Sequence, residues 1–197
     1  MWDNLYKTLR PLFQAPDQIL KHVDNQTTLL DVGCGYGDLC AQIIEQKSPQ
    51  SVLGIDHDDH KIQTAQTRYA HLQNVSFEVA DLLRLREIEA QTILIIDVLH
   101  YFPTLDQIAL LQKLATSTTV KKIIVRDAIR SSHPGYALTR IHEFIMTRLN
   151  KTKVKKTKFT FLTKEEWRRM ALTLHMKITI EKASLPFYYD HLIIFTQ

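Results

Sequence analysis

A glycine-rich stretch near the start of the chain has the residue types of a nucleotide-binding turn. In TTLLDVGCGYGDLC an apolar run leads to Asp31, and three glycines follow at alternate positions, Gly33, Gly35 and Gly37. Glycines let a backbone approach a ligand without obstruction by side chains. A dinucleotide site of the form G-x-G-x-x-G needs a third glycine where Asp38 stands, and a carboxylate there would repel a pyrophosphate. The pattern therefore favours a cofactor without phosphates, and Asp31 would attract a cationic one.

Carboxylates recur where apolar runs end. Five short runs rich in β-branched and aliphatic residues are predicted as buried strands, at 28–32, 51–56, 75–81, 92–97 and 122–127. Four of these runs end in Asp. Helical periodicity lies between the runs, as in 105–115, whose apolar face would contain Leu105, Ile108, Leu111 and Leu114. Strands separated by crossover helices predict a parallel, doubly wound α/β sheet, which binds ligands at the carboxyl ends of its strands.

Length and composition limit the classes of protein. A chain of 197 residues with 45% hydrophobic content is expected to form one domain. Its two cysteines, Cys34 and Cys40, form no disulfide framework, which suits a reducing compartment. No segment approaches the roughly 20 apolar residues of a membrane span, and no signal peptide is recognisable, so we expect a cytoplasmic protein. The formal net charge of +4 discriminates little between partners.

These residues resemble the class I S-adenosylmethionine (SAM)-dependent methyltransferases of the small-molecule type. The first motif of that family, acid-x-Gly-x-Gly-x-Gly, is matched by DVGCGYG, and IIDVLHYFP is similar to the D-V-L-H-H-F type of sequence. The resemblance implies a single Rossmann-like domain with a mostly parallel seven-stranded sheet and a helical lid. The segments MKITIEK and HLIIFTQ would form the C-terminal antiparallel strand pair.

The resemblance also implies SAM as the cofactor and gives roles to several acids. Asp56 would bond both ribose hydroxyls, because a carboxylate accepts two hydrogen bonds at once. Asp81 would reach the adenine amino group. Asp97 would lie near the transferred methyl group or, alternatively, cap the helix that follows it. The expected cofactor-binding residues are Asp31, Gly33, Gly35, Gly37, Asp56, His57, Asp81, Leu82 and Asp97.

Two histidines are the candidates for catalysis. Methyl transfer from a sulfonium is a direct displacement, so the protein mainly holds the nucleophile in line. An acceptor that must lose a proton needs a base, and histidine has a pKa near working pH. His100, just beyond the fourth strand, is the first candidate and His142 the weaker second; a purely structural role is the alternative for His100. The nine histidines show no metal-ligand spacing, so we expect no metal.

A long insert, residues 130–163, lies between the fifth strand and the final pair and would form a wall or lid over the substrate. Its first half predicts an amphipathic helix over 136–149, with Leu138, Ile141, Ile145 and Leu149 on one face. The expected substrate-binding residues are Tyr101, Tyr136, Arg140 and Tyr188. The run Lys151 to Lys158 would attract an anionic partner, such as an acyl carrier protein, a phosphorylated metabolite, a lipid head group or RNA, or would form a solvated loop.

The single domain, 1–197, divides into four expected parts. They are an N-terminal helical cover (1–26), a cofactor-binding core (27–129), the lid insert (130–163) and a C-terminal helix with the strand pair (164–197). In the cover, Trp2, Tyr6 and Phe13 would close over the ligand or pack on the flank of the sheet.

Three functions fit these expectations. The first is methylation of a small-molecule or carrier-bound acceptor, at oxygen, and the acceptor would be neutral or anionic. The second, an RNA methyltransferase, is disfavoured because the N/D-P-P-Y/F motif is absent, and no RNA-binding module is appended. The third is a noncatalytic scaffold that keeps the cofactor fold.

Overall fold

The computed structural model describes residues 16–85, 89–149, 159–183 and 189–197. Within 134–149 it describes the backbone throughout, and the side chains except those of 142, 143 and 145–149. Several sequence expectations therefore lie outside the described residues: Trp2, Tyr6 and Phe13 of the N-terminal segment, the run Lys151 to Lys158, and Tyr188.

Seven strands form one sheet in the order β3-β2-β1-β4-β5-β7-β6. The first five run parallel, and β7 is antiparallel to both β5 and β6. This is the predicted mixed sheet with an antiparallel C-terminal pair. The strands are β1 (Thr28–Val32), β2 (Ser51–Asp56), β3 (Val75–Val79), β4 (Thr92–Ile96), β5 (Lys122–Ala128), β6 (Lys177–Lys182) and β7 (Asp190–Thr196).

The strand residues are apolar because helices cover both faces of the sheet. Alternate side chains of a strand point to opposite faces, and the centre of β4 illustrates this. Ile93 and Ile95 lie in a core layer with Trp167, whereas Leu94 lies in the other layer with Ile19. All three β4 residues are fully buried. A central parallel strand therefore needs apolar side chains on both of its faces.

The helices divide between the two layers. Helices α1 to α3 pack on one face and α4 and α6 on the other, as the buried residues of each core cluster indicate. The helices are α1 (Pro16–Leu20), α2 (Asp38–Lys47), α3 (Asp59–Arg68), α4 (Thr104–Ala115), α5 (Pro134–Leu149) and α6 (Lys164–Leu174), and two short 3₁₀ helices span Leu82–Arg84 and Leu99–Tyr101.

The apolar face predicted for the fourth helix is wrong at its first turn. Leu105 is 78% exposed, and Gln107 is buried in its place. The amide of Gln107 donates to the carbonyl oxygens of Phe102 and Thr160, at 2.9 and 2.8 Å. A polar side chain is buried here because the ends of two loops supply acceptors for it.

The described part of the insert contains helix α5 and residues 159–163, a returning segment that lies at the ends of the strands. The helix is predicted correctly, but Leu138 and Ile141 are about half exposed, at 52% and 56%. In the returning segment, the Thr160 amide donates to the His100 carbonyl and Leu162 accepts from the Arg130 amide, both at 2.9 Å. This segment therefore covers the carboxyl ends of β4 and β5.

Gly37, at the start of α2, has no space for a side chain and a backbone that disfavours one. Its φ is +76°, and an added Cβ would lie 2.5 Å from a ring carbon of Phe77. We expect Gly37→Ala to lower the free energy of unfolding by about 1–3 kcal/mol, measured by urea denaturation. In a Phe77→Leu background the cost should fall without vanishing, because the clash is relieved and the strained φ remains. An unchanged stability of Gly37→Ala would contradict this account.

Candidate functional site

The glycine turn is attached to the neighbouring strand. The amides of Gly33 and Cys34 both donate to the carbonyl oxygen of Ile55, at 2.7 and 3.0 Å. All three glycines of the turn have positive φ: 81° at Gly33, 60° at Gly35 and 76° at Gly37. L-residues rarely adopt this conformation, so the alternate glycines are required by the path of the backbone. The turn lies between the ends of β1 and β2, with Gly35 and Gly37 buried and Gly33 partly exposed.

Asp56 links the glycine turn to the loop after β2. One carboxylate oxygen accepts from the Gly35 amide at 3.0 Å and the other from the Asp58 amide at 2.9 Å. His57 Nδ1 lies 3.2 Å from the second oxygen. The side chain of Asp56 is buried, so these bonds hold it in one position at the edge of the turn. The sequence predicted the place of Asp56 but not its bond to the turn.

Asp31 is buried at the end of β1 and has a partner that the sequence analysis missed. The thiol of Cys40, on α2, donates to its Oδ2 at 3.2 Å. The pKa of the Cys40 thiol is raised well above its ordinary value, by its contact with Cys34, by burial and by the charge of Asp31. The thiol therefore stays protonated and remains a donor to the carboxylate. A cysteine on the first turn of a helix gives no such signal in one sequence.

Asp81 and Leu82 follow β3. Asp81 is exposed, and its carboxylate caps the 3₁₀ helix by accepting from the Leu83 amide at 3.0 Å. Arg84 lies 3.4 Å from it in an exposed ion pair of small energetic value. Leu82 is buried in the core. Asp81 thus lies at the expected edge of the sheet with its carboxylate accessible to solvent.

Asp97 forms an ion pair instead of capping a helix. The helices after it begin at Leu99 and Thr104, with Val98 and Pro103 as their N-cap residues, so the capping alternative is wrong. Asp97 has a φ of +57°, and its amide donates to the Arg126 carbonyl at 3.0 Å. Its carboxylate lies 3.3 Å from Nη1 of the same arginine. Both contacts hold Asp97 in a conformation that is unusual for a non-glycine residue.

Arg126 joins Asp97 to the antiparallel strand β7. Its Nη2 donates to Asp190 at 3.1 Å, and its side chain is almost completely buried. Burial raises the pKa of Asp190, and the charge of Arg126 opposes that rise. A buried arginine is costly unless carboxylates compensate it, and here two do so.

His100 and Asp127 form a second buried pair on the other face of the sheet. Their side chains are 1% and 4% exposed, and His100 Nδ1 lies 2.9 Å from Asp127 Oδ1. The Ala128 amide also donates to this oxygen at 2.8 Å. Burial raises the pKa of Asp127, while the neighbouring His100 lowers it by a smaller amount. The ends of β4 and β5 thus supply a histidine and the carboxylate that orients it.

Aromatic rings surround His100. Tyr101 is 4.4 Å away between ring centroids, Phe161 5.0 Å and Phe159 5.5 Å. Tyr136, on α5, meets Phe161 edge to face at 5.8 Å, and the guanidinium of Arg140 lies over the Tyr136 ring at 5.9 Å. Of the expected substrate residues, Tyr101 contacts His100 directly. Tyr136 is linked to His100 through Phe161, and Arg140 contacts Tyr136. Phe159 and Phe161 were missed, because nothing in their local sequence distinguishes them.

For two further predicted site residues, His142 and Tyr188, the structure describes no side-chain contact with the residues around His100. His142 lies on α5, where its side chain is not described, and Tyr188 lies outside the described residues. Within the described ranges, no three His, Cys, Asp or Glu side chains come together as a metal site. None of the described helices combines the length and apolar character that crossing a membrane requires.

Comparison with known proteins points to one family. A model described as a methyltransferase domain matches residues 23–172. No curated protein sequence matches the chain.

Solved structures share the fold at low sequence identity. One is the methyltransferase in a complex with the Haloferax volcanii Trm112 methyltransferase activator (14% identity, 99% of this chain and 93% of that chain covered, TM-score 0.74). Another is the magnesium protoporphyrin IX methyltransferase of Synechocystis with bound SAH (19%, 93% and 82%, 0.70). A third is human N-acetylserotonin methyltransferase in complex with SAM (16%, 92% and 51%, 0.71).

The burial of Asp127 predicts a pH-dependent effect of neutralising it. Because burial raises the pKa of Asp127 in the folded protein, its protonated carboxyl favours the folded state. This stabilisation is complete below the pKa of the unfolded chain, ordinarily 3.8, and is lost as the pH rises through the pKa of the folded protein. Asp127→Asn retains an acceptor oxygen but cannot ionise. We therefore expect the destabilisation it causes to be larger at about pH 4 than at about pH 7, measured by urea denaturation. Asp59→Asn, at an exposed site on α3, is the control. A cost for Asp127→Asn that grows toward neutral pH would contradict this expectation.

Proposed function

The chain belongs to the methyltransferase domain family and is a SAM-dependent enzyme, and from this premise we propose that it methylates a hydroxyl oxygen of a small, flat aromatic acceptor. The observation that supports the acceptor chemistry is the 2.9 Å contact between His100 and Asp127 at the carboxyl edge of the sheet. A histidine oriented by a carboxylate is a suitable general base for a hydroxyl group.

The glycine turn and its acids fit SAM. Gly33 and Gly37 have positive φ and no space for a Cβ beside Val98 and Phe77, so only glycine permits the path that the turn takes next to Asp56. The buried carboxylate of Asp56 would accept hydrogen bonds from ribose hydroxyls, and Asp31 would attract the positively charged amino acid portion. When bound, SAM supplies a methyl group on a positively charged sulfur, and the electron pair of the broken carbon–sulfur bond remains on sulfur.

His100 would receive the proton of the acceptor. With its Nδ1–H donating to Asp127, the imidazole has its lone pair at Nε2. Nε2 would take the hydroxyl proton while the acceptor oxygen forms its bond to the methyl carbon. Asp127 would fix the tautomer and stabilise the charge that develops on the ring.

The aromatic surroundings of His100 favour a flat acceptor. The histidine is only 1% exposed, and Tyr101, Phe159 and Phe161 pack around it. A molecule that reaches Nε2 must therefore pack between rings, which stabilises an aromatic compound through burial and stacking. A sugar or a charged nucleic-acid backbone gains no such contact. This distinction favours an aromatic hydroxyl group over a ribose hydroxyl as the accepting group.

Asp56→Ala tests the donor half of the proposal. We expect the substitution to weaken SAM binding by about tenfold or more, roughly 1.4 kcal/mol, because charge-assisted hydrogen bonds are lost. Isothermal titration calorimetry measures this loss directly. Asp59→Ala, which removes an exposed carboxylate three residues further on, should bind SAM like the wild type. If folded wild-type protein bound neither SAM nor its demethylated product SAH, the proposal would fail.

His100→Gln tests the acceptor half. Loss of a general base should lower kcat by about 10²- to 10⁴-fold and leave SAM affinity within about twofold of the wild type. The assay follows labelled methyl transfer from SAM to a panel of aromatic hydroxyl compounds.

Two matched variants complete this test. His71→Gln removes an exposed histidine after α3 and should remain active, and His142→Gln examines the second candidate named by the sequence. Activity that survives in His100→Gln and disappears in His142→Gln would transfer the role of base to α5.

A further inference from the structure

A series of aromatic contacts extends from the buried His100 to an exposed arginine on α5. Phe161 lies 5.0 Å from His100 between ring centroids, and Tyr136 lies 5.8 Å from Phe161. The guanidinium carbon of Arg140 lies 5.9 Å from the centre of the Tyr136 ring. Two aromatic rings therefore separate the base from a positive charge. The exposure of the series increases along it: Phe161 is buried, Tyr136 half-buried and Arg140 exposed.

Arg140 differs from the other arginines whose side chains are described. Each of the others has a carboxylate within ion-pair distance: these are Arg68, Arg84, Arg126, Arg130, Arg168 and Arg169. Arg130, which is also close to Tyr136 in the fold, is neutralised by both oxygens of Glu166 at 2.9 Å. Within the described part of the chain, Arg140 contacts the face of an aromatic ring and no carboxylate. Among the side chains that the structure describes, no carboxylate neutralises its charge.

The ring of Tyr136 lies between Phe161 and Arg140 in this series. Burial raises the pKa of Tyr136; Arg140 and Arg130 oppose that rise, and Asp127 adds to it. Charges at both ends of the series therefore influence the ionisation of the Tyr136 hydroxyl. It remains a neutral hydrogen-bond donor at physiological pH, and a donor here would bind the edge of a polar ligand.

From this arrangement we propose that the acceptor is an aromatic hydroxy acid, whose hydroxyl is directed to His100 and whose carboxylate is bound by Arg140. The inference rests on the proposed function, because it names the class of substrate for the same site. A rigid ligand of about two fused rings, with its hydroxyl at His100, would carry its carboxylate toward the planar guanidinium of Arg140, which binds carboxylates through two parallel donors. Arg140 is a specificity-determining residue in this account, and it takes no part in the methyl transfer.

The experiment compares two ligands of nearly the same shape, one anionic and one neutral. A hydroxynaphthoate with its hydroxyl and carboxylate at opposite ends, and the corresponding carboxamide, are titrated calorimetrically into the complex of the full chain with SAH. At low ionic strength the wild type should bind the carboxylate about three- to tenfold more tightly, since the guanidinium is exposed and partly screened. Arg140→Gln should reduce this preference to less than about twofold, and Arg140→Lys should retain part of it. Arg169→Gln, which removes an exposed arginine on α6, should behave like the wild type.

The outcomes separate this inference from the proposed function. Equal binding of the two ligands by the wild-type complex, binding of neither, or an equal loss for both in Arg140→Gln would overturn the assignment of the hydroxy acid. The first titration of each series is SAH into protein alone. Failure at that step contradicts the donor site and hence the proposed function, whereas intact SAH binding confines any failure to the acceptor class.

Discussion

Five parallel strands run in one direction, and this constraint brings four carboxylates of the candidate site to one edge of the sheet. Because β1, β2, β4 and β5 are in parallel register, their carboxyl ends share an edge. Asp31, Asp56, Asp97 and Asp127 lie at or next to those ends and come from four different strands. Short loops then add the glycine turn and His100. The glycine turn and the His100–Asp127 pair are separated by up to about a hundred residues in the chain, and the sheet brings them to one edge.

The buried charges at this edge are compensated on both faces of the sheet. Successive residues of β5 point in opposite directions, so Arg126 meets Asp97 and Asp190 on one face while Asp127 meets His100 on the other. Burial alone would make each of these groups unfavourable, as the raised pKa values of Asp127 and Asp190 indicate. Pairing offsets much of that cost and fixes the side chains in single positions. Rigid side chains are what orientation in methyl transfer requires.

The sequence predicts the sheet well and the contacts at its edge poorly. The strands were predicted to within about two residues, because apolar runs between amphipathic segments are a local signal. The family motif located the glycine turn and Asp56. Cys40, Arg126 and the partnership of Asp127 with His100 were missed, since each depends on a residue brought close only by folding. For the same reason the prediction placed Leu105 in the core, whereas Leu105 is exposed and Gln107 is buried. The acceptors of Gln107 lie in two loops, and the helical periodicity of the sequence gives no information about them.

The position of β7 has a consequence for the order in which the site is assembled. This strand is the last in the chain, yet it lies between β5 and β6 in the sheet. When a growing polypeptide has emerged only as far as β5, Arg126 has Asp97 as its counterion and lacks Asp190. Strand pairing between β5 and β7 spans more than 60 residues of sequence, as Arg126 and Asp190 illustrate. Such non-local pairing forms late in folding. Full neutralisation of Arg126 therefore coincides with the pairing of β7, so this edge of the sheet is complete only when the C-terminal strand has folded into place.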